Sequence, residues 1–314
     1  MRILLVCPAP RGSRLGNRVT AERWARILRS LGCTVRIAEE LVGSFDVLIA
    51  LHARKSAGAI VDGRRQRPNA RIVVAMTGTD LHRDLPRSRA ARRSLELADD
   101  VVVLYPGAVS SLPVFARAKA TVIVQSALAR LAPSHRQERE LRVAVVGHLR
   151  HEKDPLRTAM AARSLPPTSR IRIVQAGRAM TDRWERAARA EMERNSRYRW
   201  VGELDPTAAR RLIADSDVLV LSSRIEGGAN VLGEAIVAGT PVLAARIPAT
   251  VSLLGPKYPG LFEVGDTAAL TRLLERCERD QTYLRALQKA NRARRGLFSP
   301  LRERSAWRRL LARR

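Results

Sequence analysis

Short apolar runs punctuate the chain, and the stretches between them carry helical spacing. In the first half the runs are Arg2 to Cys7, Thr34 to Ala38, Phe45 to Leu51, Arg71 to Met76, Asp100 to Leu104 and Thr121 to Gln125, each read as a buried strand. The clearest helix falls between Arg18 and Leu31, where Val19, Trp24, Ile27, Leu28 and Leu31 share a face and Gly32 follows in the C-cap position. From Ala127 to Leu141 the pattern breaks at Pro133, Ser134 and His135 inside ARLAPSHRQERE, which reads as a linker. Alternation then restarts, with strands Arg142 to Val146, Arg170 to Gln175, Tyr198 to Val201, Asp217 to Leu221 and Pro241 to Ala244. Helices are expected from about Pro155, Asp182, Pro206, Gly228 and Thr267. Strands this apolar, alternating with helices, predict an α/β fold with parallel sheets covered on both faces. We expect two doubly wound domains, 1–134 and 135–296, facing a cleft of the kind that binds ligands. The segment Leu297 to Arg314 reads as a basic amphipathic helix carrying Phe298, Leu301, Trp307, Leu310 and Leu311, able to pack back on the first domain.

Composition supports this picture. At 314 residues, 46% of them hydrophobic and without low-complexity tracts, the chain has material for two cores. No apolar run approaches the roughly 20 residues of a membrane span, and Ile3 to Val6 is too short for a signal peptide. Cys7, Cys33 and Cys277 lie far apart in apolar segments, as reduced thiols of a cytoplasmic protein would. The net charge of +27 comes almost entirely from arginine, since only five of the 57 basic residues are lysine. Those arginines are spread along the chain and aromatics are only 4%, which argues against nucleic acid as the partner. The positive field would instead draw in small anionic substrates.

Four stretches carry candidate chemistry. Ser222 to Glu234, SSRIEGGANVLGE, places Glu226 and Glu234 around Gly227 and Gly228, between a strand and a helix. In an α/β sheet the strand's carboxyl end and the helix N-terminus suit phosphate oxygens, and the acids suit hydroxyls. The two glycines would let the backbone approach a ligand or take positive φ. After the first strand, PAPRGSRLGNRV offers Gly12 and Gly16, Asn17 as helix N-cap, and the cations Arg11, Arg14 and Arg18, a ready anion site. It is neither a Walker loop nor a GxGxxG fingerprint. Thr77, Gly78, Thr79 and Asp80 follow another strand and run on to His82, with Asp80 ahead of His82 as an acid, base or orienting group. Gly147 to Asp154, GHLRHEKD, opens the second half with Arg150 and Lys153 as the cations a leaving diphosphate needs. His148 and His151 have no metal-ligand partners at a recognisable spacing, and no acidic DxD-like site is evident, so no metal is expected.

Taken in order, GHLRHEK, SSRIEGGANVLGEA and GTPVLA resemble the retaining-type glycosyltransferases of two Rossmann-like domains, the GT-B architecture. Glu226 to Glu234 matches their E-x7-E motif. The resemblance implies that Lys153 holds the nucleotide diphosphate, that Glu234 binds the ribose and that Glu226 lies by the donor sugar. His148, Gly227, Gly228, Ala229 and Asn230 then complete the expected donor site. The chain departs from the family where Gly147-His148 replaces Gly-Arg, leaving Arg150 as the substitute cation, and where Gly228 replaces an aromatic. In the first half, PAPRGSRLGNRVTAERWARILRSLG and AMTGTDLHRDL are similar to the bacterial selenosugar synthases of selenoneine biosynthesis. That likeness implies a UDP-sugar donor such as UDP-N-acetylglucosamine, selenophosphate as acceptor, a carbon–selenium bond in the product and a functional link to the other enzymes of that pathway. UDP-sugar is a substrate, so no cofactor is expected. The rivals are a conventional GT-B enzyme with a hydroxyl acceptor and, from another class, a non-catalytic polyanion or nucleic-acid binder.

Overall fold

The structure, a computed structural model, describes residues 1–128 and 140–313. The expected domain boundary at 134/135 and His135 lie outside the described residues. In chain order the first elements are β1 (Arg2–Val6), α1 (Gly16–Ser30), β2 (Thr34–Ala38), β3 (Val47–Leu51), α2 (Ala57–Gln66) and β4 (Arg71–Ala75). They continue through α3 (Arg89–Leu97), β5 (Asp100–Val103), α4 (Val114–Arg117) and β6 (Ala120–Val122). The second series is β7 (Leu141–Val146), α5 (Arg157–Arg163), β8 (Ile171–Ala176), α6 (Asp182–Arg194), β9 (Tyr198–Trp200), α7 (Pro206–Ala214) and β10 (Val218–Leu221). It closes with α8 (Asn230–Ala238), β11 (Val242–Ala245), α9 (Pro248–Leu254), β12 (Leu261–Phe262), α10 (Thr267–Arg279), α11 (Gln281–Arg294) and α12 (Pro300–Ala312).

These elements form two six-stranded sheets, ordered β2-β1-β3-β4-β5-β6 and β12-β11-β10-β7-β8-β9. Every strand pairing is parallel. The central strands, such as β3 and β10, are buried along their whole length because helices cover both faces, while the edge strands β2, β6 and β9 are only partly buried. In each sheet the order reverses beside its first strand, between β1 and β3 and between β7 and β10. Loops leaving the carboxyl ends of those strands flank the crevice where such sheets hold ligands.

The chain divides into two compact units, Met1–Gln125 with Pro300–Arg314, and Ser126–Ser299. In the first, α12 joins the core built on β1, β3 and α1. Trp307 meets Trp24 edge-on with ring centroids 4.8 Å apart, and the Trp24 indole N–H donates to the buried Glu303 at 2.9 Å. The expected helix over 297–314 needs two corrections. It starts at Pro300, which suits the first helical turn, and Phe298 lies before it in the second unit, packed on Gly233. Leu301 is 74% exposed and belongs to no core. In the second unit the expected helix from Thr267 stops at Arg279, because Asp280 turns the chain and caps α11 through the Tyr283 N–H. The short helix α9 and the two-residue strand β12 have too little pattern to be read from sequence.

Candidate active site

Lys153 and Glu226 leave adjacent strands, β7 and β10, at the point where the second sheet reverses. Lys153 ends a single 3₁₀ turn, His151–Lys153, and its Nζ lies 2.6 Å from Glu226 Oε1. The same oxygen accepts from Ser223 Oγ at 2.6 Å. Glu226 is buried and the Lys153 side chain 22% exposed, so the pair has one face towards solvent. The turns carrying them are also stitched through backbone. Arg224 N–H and Ile225 N–H donate to Glu152 O at 2.9 and 3.3 Å, and Ser222 Oγ bonds to Lys153 O and Asp154 O at 3.2 and 3.0 Å.

The acidic glycine turn differs from expectation in its backbone. Positive φ falls on Ala229, at 44°, and on neither Gly227 nor Gly228. Ala229 turns the chain into α8, whose first residue is Asn230, so the helix starts two residues later than expected. Glu234 sits half-buried within α8. Gly233 before it is fixed by packing: a Cβ there would lie 2.7 Å from the Phe298 ring.

His148 occupies the exit of β7, its Nδ1 accepting the Arg178 N–H at 3.2 Å and lying 4.0 Å from Glu203 Oε1. The loop after β7 is thereby joined to the loop after β8, with Leu149 N–H donating to Arg178 O at 2.9 Å. Gly177 makes this approach possible, since a Cβ on it would stand 2.0 Å from Gly147 O. Arg150, the expected substitute cation, keeps its Nε buried without a hydrogen-bond partner, 4.0 Å from Glu152 Oε2. Arg178 and Arg224 are half to fully exposed cations on these same loops that sequence reading missed. The signal for Arg178 is present: strand, glycine, basic residue recurs as Val146-Gly147-His148 and Ala176-Gly177-Arg178.

In the first unit, Arg11, Gly12 and Arg14 are exposed on the loop after β1, and Gly16 is exposed at the start of α1. Asn17 is not the N-cap expected of it, because α1 already starts at Gly16, with Leu15 at the cap and no side-chain bond there. Arg18 is buried, its Nε donating to Glu22 Oε1 at 2.7 Å. Arg11 N–H donates to Glu39 Oε1 at 3.1 Å, which ties this loop to the end of β2.

Asp80, expected as an acid, base or orienting group, is fully buried. Its Oδ1 accepts from Thr77 N–H at 2.7 Å and Thr77 Oγ1 at 2.9 Å, and its Oδ2 from Ala53 N–H at 2.9 Å. Such a carboxylate holds the loops after β3 and β4 together and is a positioning group. It begins a π-helical turn, Asp80–Asp84, that presents Gly78 and Thr79 half-exposed. Thr79 Oγ1 lies 3.2 Å from His52 Nε2, and His82 Nε2 lies 2.7 Å from the Tyr105 hydroxyl. Burial lowers the pKa of both histidines, with Asp80 opposing it. His52 Nδ1 accepts the Lys55 N–H at 3.3 Å, so its proton sits on Nε2 and is donated towards Thr79.

Among the described residues no group of three or more His, Cys, Asp or Glu is placed to hold a metal ion. No helix among them is long and apolar enough to cross a membrane.

Comparison with solved structures places this architecture. Over 99% of both chains it matches HepE of Anabaena, solved with UDP-glucose, at a TM-score of 0.81 and 17% identity. Sucrose-phosphate synthase of Thermosynechococcus elongatus matches over 99% of both chains, at 0.78 and 17%. TarM of S. aureus, solved with α-GlcNAc-glycerol and UDP, matches 85% of this chain and 55% of its own at 0.67 and 17%. These likenesses establish the GT-B fold of two Rossmann-like domains. No curated protein matches the chain by sequence. The family model for glycosyl transferases group 1 matches residues 130–294, more than half of the 314, and its span holds the Lys153–Glu226 pair and the whole of α8. The chain therefore belongs to the group 1 glycosyl transferases.

Proposed function

We propose that this glycosyltransferase takes its sugar from a UDP-sugar and passes it to a small anionic acceptor, selenophosphate. The observation that carries the donor half is the Lys153–Glu226 pair at the reversal point of the second sheet, next to the start of α8. HepE and TarM, which share the fold, were solved with UDP-glucose and with UDP. In this reading Lys153 neutralises the diphosphate as it leaves, backbone N–H groups at the start of α8 receive phosphate oxygens, and Glu234 takes the ribose hydroxyls. His148, Arg150, Gly227, Gly228, Ala229 and Asn230 line the same donor. UDP-N-acetylglucosamine is the donor we expect to be preferred.

The acceptor half rests on the likeness of two segments, residues 8–32 and 75–85, to selenosugar synthases and on the exposed cations Arg11 and Arg14. Selenium gives an electron pair to the anomeric carbon while the carbon–oxygen bond to the diphosphate breaks and UDP leaves with its electrons. An acceptor that enters as an anion needs no strong protein base, which agrees with Asp80 being buried and fully bonded. Thr77, Gly78, Thr79 and His82 then orient the acceptor. Preorganised charge and alignment supply the rate.

Mass spectrometry of purified protein with UDP-N-acetylglucosamine and selenophosphate tests this directly. A selenium-bearing sugar and UDP are the expected products. Transfer to a hydroxyl acceptor with no selenium product would overturn the acceptor and keep the donor; steeply salt-dependent nucleic-acid binding without UDP release would overturn both.

A further inference from the structure

Asp154, the residue after Lys153, has left-handed backbone at φ 45° and ψ 55°. Among the described residues only His52, Asp154 and Ala229 are non-glycine residues with positive φ, and two of these three stand on the turns of Lys153 and Glu226. Such backbone is retained where the surroundings over-determine it, and it gathers at functional sites. Asp is among the few residues that tolerate it, through local bonds of its short side chain.

What the side chain does here is specific. Its carboxylate is 14% exposed and accepts from Arg157 Nε at 3.0 Å, from Arg157 Nη2 at 3.4 Å and from Arg224 Nη2 at 3.4 Å. Arg157 opens α5 and is itself anchored, its Nη1 donating to Thr267 Oγ1 at 2.6 Å. Arg224 stands two residues before Glu226, its side chain 38% exposed. The carboxylate therefore bridges a fixed arginine at the start of α5 to a half-exposed arginine on the turn of Glu226. Backbone bonds and the Lys153–Glu226 ion pair already join the two loops; this bridge adds a second charged link, from the residue after Lys153 to the residue two before Glu226.

We propose that Asp154 is a positioning residue of the donor site: through Arg224 it holds the turn of Glu226 against the turn of Lys153 and fixes Arg224 as a further cation for a nucleoside diphosphate. The proposal rests on the donor reading above. In that role Arg224 adds a positive charge to a site in which Gly147-His148 stands where the family resemblance leads one to expect Gly-Arg.

The test uses the full chain and UDP as probe. UDP affinity by calorimetry and melting temperature without ligand are measured for the wild type, Asp154→Gly, Asp154→Asn, Arg224→Ala and the double variant Asp154→Gly/Arg224→Ala. Glycine accepts the left-handed backbone, so Asp154→Gly removes the carboxylate and keeps the turn. Its melting temperature should stay near wild type while UDP affinity falls about tenfold, as it should for Arg224→Ala, and the double variant should be no weaker than either. Asp154→Asn, which keeps a short polar group without charge, should lie between. Unchanged UDP affinity in Asp154→Gly, or additive losses in the double variant, would overturn the proposal while leaving the donor site in place. A loss that simply tracks a lower melting temperature, without coupling to Arg224, reduces Asp154 to a folding role and also overturns it. Absence of UDP binding by the wild type would remove the donor reading and this inference together.

Discussion

Lys153 Nζ and Ser223 Oγ converge on one carboxylate oxygen, Glu226 Oε1, each at 2.6 Å. The two loops of the second sheet that face its reversal point are thus joined by an ion pair with a buried acid. A buried charge that loses its partner is far costlier than an exposed one.

Lys153→Ala should lower turnover with a UDP-sugar by roughly 10²-fold or more, because the proposed donor site assigns it the diphosphate. It should also destabilise the second unit by about 3 kcal/mol, since Glu226 is left buried and unpaired. Glu226→Gln, added to Lys153→Ala, should return most of that stability and none of the turnover. Denaturant melts read beside UDP release separate the two effects; near-normal turnover in Lys153→Ala would remove it from the site.

Asp80→Ala should cost stability before it costs chemistry. Three donors, the N–H groups of Thr77 and Ala53 and the Thr77 hydroxyl, would lose their acceptor. An orphaned buried donor costs about 1–3 kcal/mol and the part-buried Thr77 groups less, so a total near 3 kcal/mol is expected in urea unfolding. A variant as stable as wild type, with only turnover reduced, would return Asp80 to the reacting groups.

Acid should weaken the first unit. His52 and His82 are lowered from their ordinary 6.5 by burial, Asp80 opposing in both, with Lys55 lowering and Asp84 raising His52. Unfolded chain then binds protons that the folded chain refuses, so the stability held above pH 6.5 is lost as pH falls below it towards the folded values. Unfolding free energy measured from about pH 7.5 down to about pH 5.5 should decline, less steeply in His82→Gln. An identical slope in that variant would exclude His82 as a source.

Trp307→Ala should cost about 3–5 kcal/mol, the range for emptying a large buried aromatic site. It removes the edge contact to Trp24 and loosens the helix that keeps Glu303 under the Trp24 N–H. Leu301→Lys on the same helix, at a 74% exposed position, should change melting by little. Equal losses in the two would mean that α12 does not dock through Trp307.

Period and apolar runs, read without coordinates, determine the strand–helix alternation of this protein. Thr34 to Ala38 is a strand to the residue, and Asp182 and Pro206 begin the helices expected there, because strand propensity and first-turn residues act locally. Lys153 and Glu226 are likewise visible as charges after strand ends, and Glu234 as an acid in the helix that follows. Tertiary structure alone decided what each of them touches. Asp80 reads as an acid, base or orienting group until β3 and β4 bring Ala53 N–H onto it, and the packing of Gly233 on Phe298, 65 residues along the chain, is not written in the motif. Asp154 and Arg224 are ordinary loop charges in sequence, and their joint is visible only when β7 and β10 lie side by side. Hydrophobic periodicity reports which way a residue faces; a contact across a sheet's reversal point depends on strand order, which no local pattern carries.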